Sequence, residues 1–195
     1  GFKAMDALSE VSFFEKGLIT MPVPCESKAQ AFIDAGMSPR WCYYCCGPSD
    51  IYSNRFIAMP SSRNRIMGTL LYRHAIEGFL HWGFNFYYSQ YSRYPVNPYL
   101  TTDSDGAFPS GDPFLVYPGE GGVPEDSIRH EVFTMGLQDM RVLQYLESRL
   151  GREALEAKLD ALVDGERMTM AEYPRGEEKF LAMRAMIDAL VRENC

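Results

Sequence analysis

The chain has 195 residues, 46% of them apolar, which suits one compact domain with a sizeable core and excludes a disordered or fibrous chain. Its 26 acidic and 19 basic side chains give a net charge of −7. Nucleic acid and anionic membranes attract basic protein surface, so neither is an expected partner. No apolar run approaches the roughly 20 residues that span a bilayer.

The sequence opens at Gly1-Phe2-Lys3-Ala4-Met5 without an initiating Met, already in a strand-like stretch. That is expected of a processed product or a piece of a longer protein, so a missing signal segment says little about location. Residues 2–8 read as a short apolar strand, and Met21-Pro22-Val23-Pro24 as a proline-rich connection. Residues 26–35 read as a helix closed by Gly36. The aromatic run 40–46 reads as a strand buried on both faces and ended by Gly47-Pro48. A helix from Pro60-Ser61 to Glu77, stopped by Gly78, leads into a third strand over 78–86. Residues 87–112 form a long polar and aromatic segment, a length that in compact domains is often functional. Residues 113–117 read as a fourth strand. Asp126 or Ser127 caps a long amphipathic helix. Two more helices, over 152–163 and from Glu177 onward, complete the chain.

Strands alternating with helices imply parallel pairing and right-handed crossovers. A doubly wound sheet is the weaker choice, because no glycine-rich phosphate loop follows any strand. The expected fold class is α/β, the C-terminal half of a (β/α)8 barrel over residues 1–150, with helices 151–195 packed against it. Four parallel strands cannot close a barrel, and their open edges predict self-association or pairing with the other half of the barrel.

Several motifs occur in a fixed order: Trp41-Cys42-Tyr43-Tyr44-Cys45-Cys46-Gly47-Pro48, Asn54-Arg55-Phe56, Met59-Pro60 and Gly78-Phe79-Leu80-His81-Trp82-Gly83-Phe84-Asn85. Gly111-Asp112-Pro113-Phe114-Leu115-Val116-Tyr117-Pro118-Gly119 follows, then Ser127-Ile128-Arg129-His130-Glu131 and Gly136-Leu137-Gln138-Asp139. In this order, over about residues 1–150, the chain resembles the C-terminal part of the family catalogued as domain of unknown function 4091. That family is grouped with the catalytic domain of glycoside hydrolase family 123. The resemblance implies a (β/α)8 barrel and a β-N-acetylhexosaminidase-type enzyme that releases N-acetylgalactosamine with retention. It further implies that the substrate's acetamido oxygen is the nucleophile, an exception to the usual two-carboxylate scheme. An adjacent Asp-Glu pair would then orient the acetamide and serve as general acid/base. This sequence contains no Asp-Glu dipeptide. No catalytic residue is therefore assigned here; the acid pair is expected upstream, and the chain alone is expected to be inactive. A non-catalytic carbohydrate-binding barrel and a purely structural module remain as alternatives.

Barrel sites form at the C-terminal ends of strands. On the strand assignment above, those ends carry Asp6, Tyr43, Tyr44, Trp82, Asn85 and Tyr117, the candidate substrate-binding residues. Aromatic rings pack on the C–H face of a sugar while Asp, Asn and Tyr hydroxyls bond its edge. Core burial is the competing reading for each aromatic. Asp6 either faces the barrel mouth or pairs with a buried Arg. The expected partner is an N-acetylated sugar or glycan, and neither cofactor nor metal is implied. Cys42-x-x-Cys45-Cys46 suits a metal poorly, because positions i and i+3 of a strand point to opposite faces and no second ligand pair is present. Core burial is the favoured reading of these cysteines, with an adjacent-cysteine disulfide the alternative. The odd total of five leaves at least one thiol unpaired and mildly favours a reducing, cytoplasmic location, with secretion left open. His81 is expected to point away from Trp82. Arg129, Glu131 and Asp139 are expected in salt bridges, with a contact at the barrel mouth as the second reading, and the charges of the last helices on solvated faces.

Overall fold

The computed structural model describes residues 4–195. Of the expected first strand, Phe2 and Lys3 lie outside the described residues. The architecture is mixed α/β with small sheets. Strand β1 (Met5–Asp6) pairs in parallel with β2 (Met21–Pro22), and helix α1 (Val11–Glu15) lies between them in sequence.

The proline-rich connection is thus a strand, and the direction of its N–H groups explains how. Met21 N–H donates to Ala4 O and Val23 N–H to Asp6 O, so the odd positions face β1. Pro22 and Pro24, which have no N–H to offer, face the opposite side, where β3 (Trp41–Tyr44) lies. There Tyr43 N–H donates to Pro24 O (3.0 Å), within a parallel bridge between Cys25 and Tyr43. A 3-10 turn at Glu26–Lys28 and α2 (Ala29–Asp34) make the intervening helix. Strand β3 pairs in parallel with β4 (Gly78–His81), Tyr43 opposite Leu80. The four strand segments therefore lie side by side in chain order.

The expected helix to Glu77 is two helices joined at Ile66, α3 (Ser61–Arg65) and α4 (Met67–Arg73). It ends at Arg73, where Ala75 at φ 51° turns the chain and Ile76 N–H bonds back to Leu71 O. Gly78 is not the stop: it opens β4, packed against Trp41 so closely that a Cβ would lie 2.2 Å from the indole ring.

The expected fourth parallel strand is corrected in direction. Strand β5 (Val116–Pro118) forms an antiparallel hairpin with β6 (Pro124–Asp126), and Phe114 bridges antiparallel to Asn85. A strand's sequence fixes which residues alternate, not which way its neighbour runs.

Ser127 caps α5 (Ile128–Leu150), its hydroxyl accepting from His130 N–H. Helices α6 (Arg152–Asp160) and α7 (Glu177–Asn194) follow. The main core lies on the helical side: Ile66 and Leu70 meet Leu143, Leu146, Leu155, Leu159, Met183 and Ile187, all with no exposed surface. Asp139, as expected, is a salt-bridge residue. Buried in α5, it accepts from Arg65 (2.8 Å) and Arg184 (2.7 Å), tying α3 and α7 to α5. No helix of the described residues is long and apolar enough to cross a membrane.

Candidate functional site

At the C-terminal ends of β3 and β4 the structure opens a cavity of about 260 Å³. Tyr43 and Leu80, paired across the two strands, line its wall with Trp82. Phe108, from the long loop, and Ala7, beyond β1, complete the apolar part. Trp82 meets Phe108 edge to face at 5.1 Å between centroids and leans on Phe86 at 5.8 Å. Such a surface matches the C–H face of a sugar ring.

The cavity's polar group is Asp112, 0% exposed and held beside the Arg55 guanidinium at 3.3 Å. Arg55 is equally buried, and its Nη2 donates to the carbonyl oxygens of Trp82 and Asp112 while its guanidinium stacks over Tyr44 at 4.8 Å. One buried cation thus ties the end of β4 to the loop that carries Asp112. A half-buried cation from α5 ties the same loop to the Arg55 segment: Arg129 donates to Gly111 O (2.6 Å), Arg55 O (3.1 Å) and Phe114 O (2.8 Å). Arg129 therefore binds backbone carbonyls rather than forming the expected salt bridge. Gly83 permits the approach, since at φ 64° a Cβ would stand 2.5 Å from Asp112 O.

Burial lifts the Asp112 carboxyl to about 6 even with Arg55 and Arg129 holding it down. At neutral pH it is therefore mostly ionised. Both of its oxygens lack a hydrogen bond, although a buried carboxylate ordinarily has its acceptors filled. Its side chain has no exposed surface, so the carboxylate lies behind the apolar wall and meets a ligand hydroxyl or amide N–H only where a wall side chain moves aside.

Of the six candidate residues from sequence, the structure brings Tyr43 and Trp82 together in this wall. Asp6 is exposed beside the lining residue Ala7, with none of the buried Arg pairing considered for it. Tyr44, 0% exposed, lies in the core under Arg55. Asn85 is exposed in its bridge to Phe114. Tyr117 packs on Phe114 and Tyr99, outside the cavity. Phe108, Asp112 and Arg55 were missing from the sequence-derived set. Both Arg55 and Asp112 fall inside motifs that carried the resemblance, and that is the signal that could have found them.

The core reading of the cysteines holds for Cys42, which is buried; Cys45 is half-buried and Cys46 exposed, both at the cavity wall. His81 stacks on Phe133 at 5.4 Å, a contact set separate from that of Trp82. A larger cavity of about 360 Å³ opens on the helical side between Glu26, His74, Tyr52 and Arg167, away from the strand ends. Asp126, His130 and Glu131 place ligand atoms within 4.8 Å of one another at the exposed start of α5.

Residues 1–146 match the family described as glycoside hydrolase 123, catalytic domain. Among solved structures, a family 123 glycoside hydrolase from Clostridium perfringens, described in a study of glycolipid glycan hydrolysis, has a similar fold. It is 19% identical with a TM-score of 0.59, over 98% of this chain and 35% of its own. The chain thus spans about a third of that protein's length. No curated protein matches. With three quarters of its residues matched by one family, the chain belongs to the glycoside hydrolase 123 catalytic-domain family.

Proposed function

We propose that this chain supplies part of the carbohydrate-binding site of a glycoside hydrolase. The observation that carries the reading is the convergence of Tyr43, Trp82 and Phe108 with the unfilled Asp112 carboxylate at the ends of adjacent parallel strands. Trp82 and Phe108 take the C–H face of the sugar, and Asp112, fully buried behind them, accepts a hydroxyl or an acetamide N–H once a wall side chain shifts. Asp6 and Asn85, exposed near the lining residues, serve further units of a glycan. Tyr117, outside the cavity, acts through such outer units, and Tyr44 acts through Arg55.

In the finer form of this proposal, residues 1–150 are the C-terminal half of a (β/α)8 barrel and 151–195 pack against it. The chain-order neighbours β1 to β4 support that arrangement. The substrate is an N-acetylated sugar of the galactosamine type, hydrolysed with retention through its own acetamido oxygen. The acid pair lies outside these residues, because no Asp-Glu dipeptide occurs among them. The other half of the barrel, or a second copy, covers the free edge of β1. Absence of the acid pair is also what a non-catalytic glycan binder predicts.

Calorimetric titration with N-acetylgalactosamine tests the binding reading. Trp82→Ala should weaken binding at least tenfold while leaving Tm within a few degrees. Unchanged binding in a folded variant would sink it. Light scattering tests the arrangement: a sharp monomer of this chain counts against the half barrel.

A further inference from the structure

We propose that Cys45 and Cys46 are a redox-active pair that closes into a vicinal disulfide in the wall of the cavity. This stands on the geometry of the wall and not on what the cavity binds. In a regular strand, neighbouring side chains point to opposite faces, which holds adjacent sulfurs apart. Here β3 stops at Tyr44 and the chain bends through both cysteines. The bend is pinned: Cys45 N–H donates to Gly47 O (2.9 Å), and the fully buried Asn54 donates to Cys45 O (3.0 Å) and Pro48 O (2.8 Å). The two Sγ atoms stand 3.8 Å apart as a result, both at the cavity surface and Cys46 open to solvent. The other thiols are placed differently. Cys42 is buried, Cys25 Sγ is directed at Gly47 O (3.9 Å), and Cys195 lies beside Tyr145.

The chemistry is thiol–disulfide exchange with a low-molecular-weight disulfide. The Cys46 thiolate attacks one reagent sulfur, forming a mixed disulfide and expelling one small thiolate. Cys45, losing its proton, then attacks Cys46 Sγ, forms the intramolecular bond and expels the second. The protein loses two protons and two electrons, and the reagent leaves as two thiols. Adjacent Cα atoms are about 3.8 Å apart across a trans peptide, shorter than the usual span between bridged cysteines. The ring is therefore expected to reopen readily under reductant, as labile disulfides do.

Burial, with Cys45 and Asp112 nearby, pushes the Cys46 thiol up to about 11, so the exchange is run at an alkaline pH of about 9. The reduced chain is incubated with hydroxyethyl disulfide, quenched in acid, alkylated and digested with trypsin. The peptide 41–55 carries Cys42, Cys45 and Cys46. The expected product lacks two hydrogens and carries a single alkyl group, placed on Cys42 by fragmentation. Dithiothreitol should restore the triply alkylated peptide, and Cys46→Ser should give no ring. A peptide that stays triply alkylated, a mixed disulfide at Cys46 that never closes, or a ring that includes Cys42 overturns the proposal.

Discussion

Buried histidines and carboxyls make the fold sensitive to pH, and Glu26, 1% exposed, is pushed well above the usual carboxylate range by burial. Burial holds His74 down at about 4 and His81 at about 3, with neighbouring arginines contributing in both cases. An unfolded histidine takes its proton near 6.5, so the folded state is favoured above that pH and loses stability as pH falls. Asp112 runs the other way: its folded value of about 6 exceeds the unfolded 3.8, so its contribution is fully present below 3.8 and fades as pH rises through 6. Between pH 6.5 and 5 the two histidines together cost about 3 kcal/mol and Asp112 returns about 1. Urea unfolding should therefore show His81→Phe losing about 2 kcal/mol less stability than wild type between pH 7 and pH 5. An equal slope in wild type and His81→Phe would exclude His81 as a source. Asp112→Ala should cost about 3–5 kcal/mol, because it strands the fully buried Arg55 charge.

The choice between neighbouring residues is also where the sequence runs out. Both tyrosines of Tyr43-Tyr44 suit a strand buried on two faces. The alternation that puts Cys42 and Tyr44 inward and leaves Tyr43 at the cavity depends on which face the helices cover. Trp82 was legible because a strand-end rule placed it. Asp112 sits in an irregular loop, where no periodicity marks which side chain turns inward.

Among the elements, the C-terminal helices α5 to α7 were the legible part, since their apolar residues recur every three or four positions and Ser127 caps the first of them. Strand β2 was hidden by Pro22 within it and Pro24 just beyond it, and the direction of β5 by the absence of any directional signal in a single strand. What joins the helices was not legible either. Gly68 of α4 and Gly136 of α5 meet where a Cβ on Gly68 would lie 1.7 Å from Gly136 O. The obstacle is backbone, which cannot rotate aside, so Gly68→Ala should force the helices apart and cost about 3 kcal/mol, or about 10 °C in Tm. A thermal scan that leaves Tm unmoved would show that the crossing is looser than described.

At the scale of the whole molecule, stability is concentrated away from the candidate site. The fully buried side chains of α4 to α7 make one apolar cluster, while the strands are two to four residues long. Hydrogen exchange should follow that division: amides in the middle of α5 and α7 should open only with global unfolding. Those of Met21 and Val23 should exchange at least about a hundredfold faster, through local opening. Uniform protection across both regions would contradict this.

Pro22 of β2 and Pro24 just beyond it carry that division into the cavity. A segment without donors at Pro22 and Pro24 meets β3 chiefly by lending its carbonyls, as Pro24 O does to Tyr43 N–H. Ala7 stands on one bank of this join and Tyr43, Cys45 and Trp82 on the other. The cavity mouth therefore crosses a sparsely bonded line of the fold. Anything gripping both banks would work as a clasp, raising the protection of Tyr43 N–H well beyond that of its neighbours.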